Sequence, residues 1–155
     1  MWMLLLALGC SVKPPEMVPV AAGPATVSIV RAEDPKRSGD AHNGLITGVA
    51  GPVTQSLSWT PDTGDLHVAA EHEVDLMRRA AEGLGNSLQV AQPPHDAKVA
   101  GQPALTWEAS TLRTHFLGTA FRCGDTTVVV TTFGAGESVV AATHAASVDG
   151  AACEP

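Results

Sequence analysis

His67, Glu71, His72 and Glu73 lie within seven consecutive residues, and all four are groups that can hold a divalent cation or move a proton. A zinc pair on a helix needs two histidines four residues apart on one face, with a third ligand from elsewhere and an open position for water. Here His67 and His72 are five apart, and the chain has no His-Glu-x-x-His run. The spacing predicts solvated surface groups and no metal ligand. A metal-dependent hydrolase built on His67, Glu71, His72 and Glu73 is the alternative reading. His42, His95, His115 and His144 are isolated in sequence and are expected at the surface or at the core edge. Gly134-Ala135-Gly136-Glu137-Ser138 could offer backbone N–H groups to an anion at a helix start, but it lacks a P-loop lysine and Glu137 would repel phosphate. Ser138 is expected instead in the N-cap region. No Gly-x-Ser-x-Gly elbow occurs. No catalytic residue and no cofactor site are assigned.

The elements that would position these groups follow from periodicity and turn chemistry. Ala25–Arg31 alternates β-branched and polar residues, as a strand does. A polar loop is expected over Ala32–Gly44, then strands at Leu45–Val49 and Val53–Trp59, a turn at Pro61–Asp65 and a short strand at Leu66–Ala69. Val74, Met77, Ala81 and Leu84 recur at helical spacing, so a helix is expected over Ala70–Glu82, stopped by Gly83 or Gly85. Ser87–Gln92 reads as a strand, Pro93–Asp96 as a turn, and Pro103–Leu112 as a strand. His115–Cys123 and Thr126–Phe133 flank Gly124-Asp125, a hairpin signal. Alanine-rich Glu137–Val148 is expected as a second helix burying Val140 beside Val139, Thr143 or Ser147. Strands, a helix, an antiparallel meander and a terminal helix exclude parallel β-α-β winding and predict an α+β fold, an antiparallel sheet flanked by two helices.

Composition narrows the partners. The chain has 155 residues, enough for one domain, with 45% hydrophobic and 16% charged residues, enough apolar material for a core. Nine Lys and Arg stand against 16 Asp and Glu, and the net charge of −7 repels a phosphate backbone. With no Tyr and only scattered Trp and Phe, there is no base-stacking platform, so nucleic acid is excluded as the expected partner.

Residues 1–9 form an uncharged apolar run that ends at Cys10, far short of the roughly 20 residues of a membrane-spanning helix. Ala7-Leu8-Gly9-Cys10 resembles the lipobox of bacterial lipoproteins, with Ala7 where that pattern usually has leucine. The resemblance implies a signal peptide over residues 1–9, short enough that a start upstream is expected, and a thioether-linked diacylglycerol on Cys10. Residues 11–24 carry four of the 11 prolines, so residues 10–24 are expected as the lipidated cysteine and an extended tether, with one globular domain over residues 25–155. The expected location is the bacterial cell envelope, facing the periplasm, with Ser11 after the lipidated position favouring the outer membrane. Export leaves Cys123 and Cys153 as an even remainder in an oxidising compartment, and a disulfide between them is expected.

Val99-Ala100-Gly101-Gln102-Pro103-Ala104, then Phe121-Arg122-Cys123-Gly124, Val128-Val129-Val130-Thr131 and a closing helix resemble the α/β/α sandwich of PsbP-like proteins, a nuclear Ran-binding import factor and DcrB-type lipoproteins, over residues 25–150. That resemblance implies a small binding or assembly accessory without a shared catalytic constellation. The expected function is a lipid-anchored envelope protein whose head binds another envelope component. The remaining alternative is a carrier for a small apolar ligand held between sheet and helix.

Overall fold

The structure is a computed structural model that describes residues 12–62 and 64–154. In chain order its strands are Met17–Ala22 (β1), Ala25–Val30 (β2), Lys36–Gly39 (β3), Gly44–Ala50 (β4) and Val53–Pro61 (β5). Helix Leu66–Gly83 (α1) precedes Gln89–Val99 (β6), Gln102–Ser110 (β7), His115–Cys123 (β8) and Thr126–Gly134 (β9), and helix Glu137–Asp149 (α2) leads into Ala152–Cys153 (β10).

Strand β9 is buried along both faces for most of its length, the mark of a central strand. Gly124, at φ +60°, returns the chain in two residues, so Cys123 pairs with Thr126 and Phe116 with Phe133. Seven strands pair antiparallel in the order β3-β4-β5-β9-β8-β7-β6, and a smaller sheet has the order β1-β2-β10. Side chains alternate across β9. Val129 meets α1 with Leu105, Trp107 and Ala120, under Ala70, Val74, Met77 and Ala81 of the helix. Val128 and Val130 face the other way, against Val27 and Ile29 of the small sheet and Leu57, Trp59 and Phe121 of the large one. Helix α2 covers the rest of that second face, against β8, β9 and β2. The expected α+β sandwich is therefore the observed one, with α1 alone on one side.

Several boundaries differ from expectation. Residues 17–22 are not tether: Val18 and Val20 pack on the core as β1, and Pro19 is exposed on an edge strand, where a missing N–H is tolerated. The folded head thus begins near Met17 and not at residue 25. Leu66–Ala69 is not a strand but the first turn of α1, because the Asp65 carboxylate accepts from the His67 N–H at 2.9 Å and caps the helix there. Gly85, at φ +75°, ends it. The polar stretch after β2 contains β3, an exposed edge. Pro93 and Pro94 do not break β6, an edge strand whose register shifts around them.

Two glycines lie under tryptophans. A Cβ on Gly44 would overlap the Trp59 indole, and one on Gly118 would overlap Trp107, which is itself buried beneath α1. Gly118→Ala should therefore lower the unfolding free energy by about 1–3 kcal/mol through overpacking. A urea titration checks this, and a midpoint equal to wild type would show that the indole moves freely.

Candidate functional site

The sheet face under α1 is not filled evenly. Near the helix C-terminus, where α1 presents the small side chains of Ala80 and Ala81, a cavity of about 390 Å³ opens between α1 and β8–β9. Leu76, Met77 and Leu84 form its helical wall, and Phe116 and Phe133 form its floor. Those two rings are register partners across β8 and β9 and stack with centroids 5.4 Å apart. Thr111, Thr114, Thr131 and Asn86 are the polar lining residues, and no charged side chain lines the cavity. Such a site can desolvate an apolar group. It holds no acid, base or nucleophilic thiol for chemistry on it.

Leu76 also borders a more open depression over β4 and β5, where Leu45 is exposed. Glu73 lines that depression, and burial pushes its carboxyl above the usual carboxylate range, against a smaller opposing pull from His72.

The four residues singled out for metal or acid–base chemistry do not converge. All lie on α1, where successive residues are turned by about 100°. His67 and Glu71 share one side, while His72 and Glu73 point elsewhere. Among the described residues no group of three or more His, Cys, Asp or Glu could hold a metal ion. The glycine-rich segment before α2 is a plain helix start. Gly136, not the expected Ser138, is the N-cap, and no side chain bonds there.

Cys123 and Cys153 are joined by a disulfide with Cα atoms 5.5 Å apart, within the ordinary range. Because β10 pairs with β2, the bond ties the large sheet to the small one directly. Cys10 and the expected signal peptide lie outside the described residues. Among the described residues no helix is long and apolar enough to cross a membrane.

His144 departs most from expectation. It is 6% exposed, on the inner side of α2, within a chain of hydrogen bonds that crosses the second face of the large sheet. Its Nε2 lies 2.8 Å from Thr119 Oγ1, and its Nδ1 lies 2.9 Å from Thr132 Oγ1. Thr106 spends its one hydroxyl proton on the Gly118 carbonyl (2.9 Å), so Thr119 must donate to Thr106 (3.2 Å). Thr119 then accepts from His144 Nε2–H. On the other side Gln55 Nε2 donates to Thr132 at 3.0 Å and to Ser147 at 2.6 Å, while Gln55 Oε1 accepts from the Val30 N–H at 2.9 Å. Thr132 can therefore donate to Nδ1. The bond pattern assigns one neutral tautomer with both ring nitrogens satisfied. Burial depresses the His144 pKa to about 4. The ring is thus buried, with each nitrogen bonded to a threonine of the sheet.

No family model and no curated protein sequence matches the chain. Among solved structures it is similar to the cyanobacterial PsbP protein CyanoP from Synechocystis sp. PCC 6803, with a TM-score of 0.54 over 89% of this chain and 94% of that one. The fold is PsbP-like. At 8% identity the likeness concerns the backbone arrangement alone. A Pseudomonas aeruginosa protein of unknown function aligns over 80% of this chain and 86% of its own at 14% identity, but its TM-score of 0.40 is too low to carry an argument.

Proposed function

We propose that the protein is a binding accessory of the bacterial cell envelope, moored through a lipid on Cys10, whose head receives the apolar part of another envelope component in the cavity between α1 and β8–β9. The cavity is the observation that supports this reading. Its volume of about 390 Å³ falls in the range of small-molecule sites, roughly 300–1,000 Å³. Its lining offers stacked phenylalanines and aliphatic side chains and no ionisable group, which favours holding over transforming. His67, Glu71, His72 and Glu73 point in different directions from α1, which favours the binding reading over a metal-dependent hydrolase.

Ala80 is exposed at the lip of the cavity, so a larger side chain there blocks the site without entering the core. The uncharged fluorophore N-phenyl-1-naphthylamine should bind the full chain with enhanced emission. Ala80→Trp should weaken that binding at least tenfold while its melting temperature stays within a few degrees of wild type. A wild-type protein that leaves the fluorophore dark, or a variant that binds it equally well, would overturn the assignment of this cavity.

A further inference from the structure

The cavity opens at the end of the sandwich from which the chain leaves for its anchor. Val53 and His115 both pair with Gly134, and Ser110 pairs with His115, so these strand ends lie side by side. Thr111 and Thr114, which line the cavity, close the β7–β8 turn at the same end. Glu16, just before β1, accepts from the Arg31 N–H and borders a depression with Ala50 and Pro52, next to Val53. The six residues from Cys10 to Glu16 reach at most about 21 Å. An anchor on Cys10 therefore holds this end within about 21 Å of the bilayer.

Two leucines project there. Leu112, at the tip of the β7–β8 turn, is 99% exposed, and Leu84, at the C-terminus of α1, is 81% exposed and lines the cavity. Arg113 sits beside Leu112 and makes no ion pair among the described residues. Single exposed leucines are ordinary, but these two flank the turn and helix end that frame an apolar opening. A leucine next to a free guanidinium suits a lipid interface, the aliphatic group entering the acyl region while the cation meets phosphate.

The geometry points to a membrane-facing mouth: Leu84 and Leu112 enter the bilayer surface, and the cavity between α1 and β8–β9 takes one acyl chain of a membrane lipid. This rests on the binding reading above and names the ligand class for the same cavity. The far end of the head stays clear of the membrane, since Val68 lies about 24 Å along α1 from Leu84.

The test uses the lipidated full chain in vesicles of phosphatidylethanolamine and phosphatidylglycerol. Leu112→Trp should emit at shorter wavelength and be quenched at least threefold by bromine-labelled acyl chains, while Val68→Trp, also an exposed position, should not respond. Native mass spectrometry of protein released from the vesicles should show one bound lipid per chain. In Ala80→Trp the lipid should be lost and the quenching of Leu112→Trp retained. Equal quenching at positions 68 and 112, or none at either, would overturn the orientation. Absence of bound lipid from a protein that still takes up the naphthylamine would overturn the acyl-chain assignment and leave the binding reading standing. Loss of both ligands would sink the two together.

Discussion

Replacing Cys123 and Cys153 together by alanine should lower the unfolding free energy by about 3–4 kcal/mol. The bond closes a loop with a sequence separation of 30, and its main effect in the chain-entropy view is to restrict the unfolded chain. Against a typical net stability of about 5–15 kcal/mol, the loss is large enough to populate the unfolded state under mild denaturant. The local consequence is specific as well. Strand β10 has two residues, paired through Ala152 with Thr26 and Cys153 with Ala25, and so short a strand holds no register unaided. Urea titration of wild type and double variant gives the global number. Amide exchange should show lost protection in β10 and at its junction with α2 before the large sheet opens. A difference below about 1 kcal/mol would mean that the unlinked chain already holds the C-terminus in place.

How much was legible beforehand depended on how local the signal was. The β8–β9 hairpin and the apolar face of α1 are written within a few residues, by Gly124-Asp125 and by Val74, Met77 and Ala81, and the structure has both. Strand β1 was hidden because proline density argues for a tether, although Val18, Val20 and Ala22 alternate with Pro19 and Ala21 as a half-buried strand does. The cavity is a different case. Phe116 and Phe133 lie equally far from the Gly124-Asp125 turn, so counting outward along the hairpin places them opposite each other. That half of the site was readable. The other half was not, since nothing local says that Ala80 and Ala81 will leave a gap over those rings once α1 docks. His144 was unreadable for a similar reason. Its partners Thr119 and Thr132 come from two strands, and a lone histidine in an alanine-rich helix carries no mark of the hydroxyls that will meet it.

That burial of His144 makes acid the second large perturbation. In the unfolded chain a histidine titrates near pH 6.5, whereas in the folded protein His144 titrates at about 4. Between those values the unfolded state holds a proton that the native state does not, so stability falls as the pH falls. The contribution is fully present above pH 6.5 and is lost by about pH 4, at up to about 1.4 kcal/mol per pH unit and about 3 kcal/mol in all. The hydrogen bonds explain why the native state refuses the proton. Adding it at Nδ1 turns an acceptor into a donor facing Thr132, whose oxygen already accepts from Gln55, and the Thr132 hydroxyl proton then has no acceptor. No carboxylate appears among the partners of the ring to offset the charge. His144→Gln keeps polar contact with the threonines and cannot titrate in this window. Urea midpoints measured from pH 7.5 to pH 4.5 should decline more steeply for wild type than for the variant, and the gap between the two curves should widen by about 2–3 kcal/mol over that range. Parallel curves would mean that the ring accepts its proton in the folded state as readily as in the unfolded chain, and that burial among Thr119 and Thr132 does not resist protonation.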